Sequence, residues 1–209
     1  MRKIKDTVEG KCRKVIVFLP FCLLAFLLLT ASCSESDNTV EEFANWKNTN
    51  LSYWDKLYAE TQTKVNGGDA SWKIFKSYSI ADSLKSPDTD FIIANVQTAG
   101  SGSGCPLFSD SVRVRYSGRL LPSKSYTDGY VFDTINNDGV ADFKVSTRTT
   151  GFATALQHMH IGDVWEVYVP WTLGYGESGA NSIPGWSVLR FRIQLLAYAR
   201  AGESLPKFK

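Results

Sequence analysis

Within the strand-like stretch 188–197, residues 189–195 alternate in character without a break: Leu189, Phe191, Ile193 and Leu195 are apolar, while Arg190, Arg192 and Gln194 are polar. Successive side chains of a strand point to opposite faces, so this segment has one face for a core and one for water. Such a strand needs neighbours to pair with and a layer to cover its apolar side. The preceding hundred residues contain both. Phe91–Gln97 reads as a strand closed by the glycines from Gly100 to Gly104. Val112-Arg113-Val114-Arg115-Tyr116 alternates again and runs on through Leu121. Val131–Thr134 and Asp142–Val145 are short extended pieces either side of an Asn136-Asn137-Asp138-Gly139 turn, and Val164–Val169 is a further strand. One helical period interrupts them: Phe152, Ala155, Leu156 and Met159 share a face over Phe152–His160, and Gly162 stops the helix. Short strands bounded by turns, with one helix laid on one sheet face, make the fold class α+β and antiparallel over residues 91–200, with 201–209 as a tail.

Upstream lies a helical segment, residues 39–88. Thr39-Val40-Glu41-Glu42 fits a capping box, with Thr39 as N-cap and Glu42 three residues on. Phe43, Trp46, Leu51, Trp54, Leu57 and Tyr58 then follow at mostly helical spacings, and Gly67-Gly68 ends the run. A second, shorter helix is expected over Ser71–Ala81, with Trp72, Phe75 and Tyr78 on one face, before Ser86-Pro87-Asp88 breaks the chain. An aromatic helical stripe is most often core, so packing against the main domain is favoured; the rival reading is a homodimerisation arm through residues 39–88.

The first 32 residues read as an address. Lys11, Arg13 and Lys14 precede the apolar run Val15–Leu29, which at 15 residues falls short of the ~20 a helix needs to span a bilayer. A basic flank, a short apolar core and small residues form a signal-peptide pattern. Leu29-Thr30-Ala31-Ser32-Cys33 resembles a bacterial lipobox. That likeness implies lipid on Cys33, a polar tether over 33–38, and attachment to a membrane face of the bacterial cell envelope, periplasmic or surface, without spanning. The leader holds six of the 23 Lys and Arg and two of the 21 Asp and Glu, so the rest of the chain has 17 basic and 19 acidic residues. No cationic cluster suited to phosphates remains, which argues against nucleic acid as a partner. Of four cysteines, Cys12 and Cys22 lie in the leader and Cys33 would carry lipid. Only Cys105 is left, so the mature domain has no internal disulfide; in its turn, with no His nearby in sequence, it reads as a bystander thiol.

An ordered set of motifs carries the chemistry: Tyr116-Ser117-Gly118, Gly129-Tyr130-Val131-Phe132-Asp133, Gly151-Phe152, Met159-His160-Ile161-Gly162, Gly174-Tyr175-Gly176 and Ile183-Pro184. Together they resemble the FKBP-type peptidyl-prolyl cis-trans isomerases over roughly Phe91–Ala199. The resemblance implies an antiparallel sheet of five to six strands wrapped around one short α-helix, with a pocket between them. It places Asp133, Tyr175, Phe132 and Tyr116 in catalytic roles, and Phe152, Ile183 and Phe191 around the substrate. Phe143 adds a wall, the Thr149 backbone N–H a grip on the peptide, and Trp186 a rim. The implied partner is a proline-containing segment of an exported protein, and no cofactor is required. Phe152 stands where many relatives have Trp, Arg148-Thr149 replace an apolar pair, and Pro122–Thr127 looks inserted.

Three decoys were weighed. Gly174–Gly179 matches G-x-G-x-x-G, but a dinucleotide fingerprint belongs between a strand and a helix of a βαβ unit, and Pro184-Gly185 follow instead. His158 and His160, two apart, do not share a helix face, and no cysteine or acid cluster completes a metal site. No Gly-x-Ser-x-Gly elbow appears. Two rivals to an exported prolyl isomerase stand beside it: a catalytically weak FKBP-like module that binds peptides or folding intermediates, and a scaffold whose aromatic N-terminal helices dock a partner.

Overall fold

The computed structural model describes residues 41–135 and 139–207. The leader, Cys33 and the expected N-cap Thr39 lie outside the described residues. Within them, helix α1 (Trp46–Asn66) leads to strands β1 (Trp72–Lys76), β2 (Phe91–Thr98), β3 (Ser111–Arg119), β4 (Val131–Thr134) and β5 (Ala141–Lys144). The short helix α2 (Thr150–Leu156) follows, then β6 (Val164–Val169) and β7 (Leu189–Ala199). All pairings are antiparallel, in the order β1-β2-β6-β7-β3-β4, with β5 also pairing β3. This is the expected α+β class. The sheet has seven strands rather than five or six, because β1 adds to the six read from the sequence.

β7 lies between β6 and β3, opposing Val167 with Phe191 on one side and Gly118 with Phe191 on the other. Its alternation is the one read from sequence: Leu189, Phe191, Ile193 and Leu195 are buried, while Arg190, Arg192 and Gln194 are not. With Val112, Val114, Trp165, Val167 and Val169 they form the floor on which α2 rests. Every residue of α2 from Gly151 to Leu156 is buried, and Met159 just beyond it is fully enclosed. The helix is shorter than Phe152–His160 and starts two residues earlier, so Met159 reaches the core from a turn.

The helix expected over Ser71–Ala81 is instead strand β1, pairing Trp72–Lys76 with Phe91–Asn95. A spacing of three puts Trp72 and Phe75 on one face of a helix but on opposite faces of a strand. Here the two rings do face apart. Trp72 stacks on Tyr168 beneath the Lys64 ammonium of α1, while Phe75 stacks on His158 and Trp165. Partners on both sides outweigh local periodicity.

The aromatic stripe of α1 packs within its own chain. Trp54 is enclosed, Tyr58 meets Phe91, and the Trp46 indole donates to Ser187 Oγ at 2.8 Å. Asn50 is fully buried and satisfied twice: Nδ2 donates to the Trp46 carbonyl and Oδ1 accepts the Val188 N–H, both at 2.8 Å. The helix begins at Trp46 after Asn45, which has a left-handed φ of 54°, and ends at Gly67. Glu42, expected as the inner partner of a capping box, is used elsewhere: it accepts from the Ser125 N–H and the Ser123 hydroxyl, tying down the loop after Pro122.

Replacing Asn50 with Ala would leave the buried Val188 N–H without its acceptor. The expected loss is about 1–3 kcal/mol of unfolding free energy, read as a lower urea midpoint at unchanged slope. An unchanged midpoint would mean that α1 is not anchored through this side chain.

Candidate active site

The site opens beside the N-terminus of α2. A cavity of about 300 Å³ is lined by Tyr116, Asp133, Thr147, Arg148, Thr149, Phe152, Tyr175 and Phe191. Five segments of the chain supply these residues. Tyr116 comes from β3 and Asp133 from β4; residues 147–152 form the entry to α2; Tyr175 lies in the loop before β7, which carries Phe191.

Two close approaches set the shape. A Cβ on Gly118 would come within 2.6 Å of the Phe132 ring and 2.8 Å of the Phe191 ring, so the missing side chain is what lets those rings cross β3. A Cβ on Gly151 would lie 2.3 Å from Val169 Cγ1, so that glycine lets α2 sit directly on β6. The rings then assemble edge to face: Phe152 with Phe191 at 5.0 Å, Tyr116 with Phe152 at 5.5 Å, and Phe132 with Phe191 at 5.5 Å between centroids. Such contacts set the positive ring edge against the negative face and are worth about 0.5–1.5 kcal/mol beyond burial. Phe152 and Phe191 are 3% and 4% exposed and form the floor. Phe143 closes one side at 6.1 Å from Phe152, with the Arg148 guanidinium 4.3 Å above its outer face.

The polar groups stand at the rim. The Tyr116 hydroxyl donates to Asp133 Oδ2 at 2.7 Å. Burial pushes the Tyr116 hydroxyl well above the usual tyrosine range, and the accepted bond and charge of Asp133 push it further. Burial, then the Asp133 charge, also raises Tyr175, which remains 38% exposed at the lip. Arg148 opposes both shifts, so its charge is felt inside the site. At the start of α2, Thr149 accepts the Ala153 N–H on its carbonyl. Among the described residues no acceptor takes its own N–H, a usual orphan of a helix start.

Tyr116, Asp133, Thr149, Phe152, Tyr175 and Phe191 thus meet at one cavity, with Phe132 and Phe143 packed behind the floor. Two expected members stand elsewhere. Ile183 is buried in the hydrophobic core without lining the cavity. Trp186, expected at the rim, packs tilted against Trp171 at 4.2 Å between ring centroids, with the Lys47 ammonium of α1 over its own ring. Thr147 and Arg148 line the cavity but were not among the candidates; their place just before the helix glycine was the signal for them. The structure also brings His160 Nε2 within 3.7 Å of Cys105 Sγ, a neighbour that sequence distance concealed. Burial and the Asp163 charge push that thiol up, so it stays protonated and unreactive at neutral pH. Gly174–Gly179 lies in a loop of a wholly antiparallel sheet, which removes the dinucleotide reading. Among the described residues no group of three metal-ligating side chains occurs, and no helix is long and apolar enough to cross a membrane.

The chain resembles known proteins over this same region. Residues 106–196 match the family described as FKBP-type peptidyl-prolyl cis-trans isomerase. A Trypanosoma cruzi protein named macrophage infectivity potentiator is 29% identical over 189 residues, covering 88% of this chain and 85% of that protein. A Legionella longbeachae protein named outer membrane protein MIP is 40% identical over 105 residues. That match covers 49% of this chain and 42% of the relative, so the likeness takes in less than half of the Legionella protein. A crystal structure of a peptidyl-prolyl cis-trans isomerase from Pseudomonas syringae pv. tomato aligns with a TM-score of 0.52 at 26% identity, covering 74% of this chain and 96% of that one.

The Tyr116 shift has a sign that can be checked. A hydroxyl whose folded pKa lies above its unfolded value stabilises the fold fully below pH 10; that contribution is lost as pH rises through the folded pKa. Phenolate absorbance should therefore show Tyr116 titrating after ordinary tyrosines. Asp133→Leu removes the accepted bond and the charge, so Tyr116 should titrate earlier in the variant, and Tyr175, which feels the same charge, should move the same way. Superimposable titration curves would show that the Tyr116–Asp133 bond does not hold in solution.

Proposed function

We propose that the chain, whose residues 106–196 match the FKBP-type peptidyl-prolyl cis-trans isomerase family, accelerates X-Pro isomerisation in the cavity between α2 and the sheet, without covalent chemistry. The observation that carries this reading is the pairing of an apolar floor, Phe152 and Phe191, with one carboxylate held at the rim by Tyr116.

The amide before proline turns over a barrier of about 18–20 kcal/mol, because twisting destroys resonance across the C–N bond. Planar amide is strongly polar and well hydrated; the twisted form is less so. An aromatic floor that removes water favours the twisted form relative to the planar one, which is differential binding of the transition state. Phe152 sits under the proline ring. Asp133 fixes Tyr116 and faces the twisting amide. Tyr175, half-exposed at the lip, donates to the substrate carbonyl, and the Thr149 N–H takes the next carbonyl along the peptide. An acceleration of ~10⁶ corresponds to about 8 kcal/mol, which positioning and water exclusion share.

The substrates follow from the address. The signal-like Val15–Leu29 stretch and the lipobox-like Leu29–Cys33 support export and a lipid anchor on Cys33. In that setting the clients are proline-containing segments of other exported proteins, reached from a membrane face of the envelope. The Legionella relative's name as an outer membrane protein agrees with this setting. One observation favours the rival of a weakly catalytic peptide-binding module: charged Arg148 lines the cavity, which makes that wall wetter than an apolar pair would.

The test is isomerisation of a proline peptide by the fragment from Ser34 onward. Asp133→Leu removes a charged hydrogen bond and should cost about 10–100-fold in kcat/KM; Tyr175→Phe removes a neutral one and should cost about 3–10-fold. A folded wild type that binds the peptide but does not accelerate it would leave the binding module as the correct reading.

A further inference from the structure

The loop that carries Tyr175 does not stand alone. It leaves β6 after Val169, passes through Tyr175, and returns to β7 along Ile183–Val188. Outgoing and returning limbs are joined at the tip by a bonded pair between Ala180 and Ile183, and nearer the lip by the Trp186 N–H, which donates to the Gly176 carbonyl at 2.9 Å. Trp186 makes this bond with φ +64°, a left-handed conformation unusual for so large a residue. Something must hold it there, and helix α1 contacts the returning limb at three successive residues. The Lys47 ammonium lies 3.5 Å from the centre of the Trp186 ring. The Trp46 indole donates to Ser187 Oγ at 2.8 Å, and that hydroxyl donates to the Pro184 carbonyl at 2.6 Å. Asn50 Oδ1 accepts the Val188 N–H. Trp46, Asn50 and Ser187 are all buried, so these bonds form away from water, where breaking them leaves groups unsatisfied.

We propose that α1 belongs to the working site: Lys47, Trp46 and Asn50 are positioning residues that hold 186–188, and through the Trp186–Gly176 bond they set where Tyr175 stands at the lip. This rests on the isomerase reading for its effect on catalysis, but not for its effect on the loop. The tie is directional. Trp46 reaches Ser187, Ser187 reaches Pro184, and the next residue but one, Trp186, closes on Gly176 beside Tyr175. The Trp186 ring is caught between Trp171 at 4.2 Å and Lys47, which fixes its unusual backbone from both sides. A helix serving only to cover core would have no need to address three consecutive residues of the lip loop with a cation, an indole and an amide.

The test uses the full chain and three variants: Trp46→Phe, Ser187→Ala and Lys47→Ala. The last removes only an exposed cation and should fold whatever the other two do. Amide hydrogen exchange at Gly176, Gly179 and Trp186 should speed at least tenfold in Trp46→Phe and Ser187→Ala, and about threefold in Lys47→Ala. Ile193, in the middle of the β3–β7 ladder, should keep its rate. For a proline peptide, Trp46→Phe should raise KM about fivefold or more and change kcat little. The double variant with Ser187→Ala should lose no more than Ser187→Ala alone, since that change already removes the Trp46 bond along with the one to Pro184, and combining Trp46→Phe with Tyr175→Phe should add little. Exchange that rises equally at Ile193 and the loop, or stays unchanged at the loop, would overturn the proposal and reduce α1 to packing. Full additivity of Trp46→Phe with Tyr175→Phe would overturn it as well. Loop exchange is read without turnover, so an inactive wild type would count against the isomerase reading alone.

Discussion

Phe152 and Phe191 meet edge to face at 5.0 Å, and the rest of the architecture is arranged so that they can. Phe191 stands near the start of β7, opposed by Val167 on one side and Gly118 on the other. Had β3 carried any side chain at 118, the ring would be pushed off the sheet and Phe132 with it. Phe152 arrives from the opposite direction on a helix of only seven residues, close enough because Gly151 lets that helix touch Val169. One contact therefore ties helix to sheet, closes the cavity floor, and leaves room above it for an apolar ring. The polar rim is added on the strand next to Gly118, where Asp133 pairs with it across β3 and β4.

Much of this was legible because alternation is a strong signal when one face of a strand is buried. The register of β7 follows from Leu189, Phe191, Ile193 and Leu195 alone. β1 was not legible in the same way. Trp72, Phe75 and Tyr78 are three apart, which fits a helix, and only the partners waiting on both faces decide for a strand. The site divides similarly. No local pattern links Tyr116 to Asp133, 17 residues away, because a register shift between Gly118 and Arg119 intervenes. Those residues were found from the order of family motifs, while Arg148 and Thr147 were passed over because the motif has apolar residues near there. Trp186 was misplaced for a physical reason: its left-handed backbone turns the ring toward α1.

The comparison region, residues 106–196, is smaller than the body that folds. β1, β2 and α1 lie outside it, yet β2 pairs along β6, and α1 places buried polar groups against the start of β7. The matched region is thus extended on one edge by two strands, β2 and β1, and braced on its lip loop by a helix. The site residues themselves come from inside the family region; the support for the loop beside them does not.

The last strand in the chain is an inner strand of the sheet. Among the described residues, β7 holds β6 to β3 and no other strand joins the two halves, β1-β2-β6 and β3-β4-β5. A chain delivered N-terminus first from a ribosome therefore lacks its keystone until Leu189–Ala199 has emerged. Until then the two half-sheets have exposed edges and no common core, so the chain stays pliable enough to be threaded. Closure of the sheet waits on β7, the last of the described strands in sequence order. The same arrangement makes the C-terminus intolerant of early truncation: losing β7 would remove the seam along which the molecule closes, and with it the ring under the cavity.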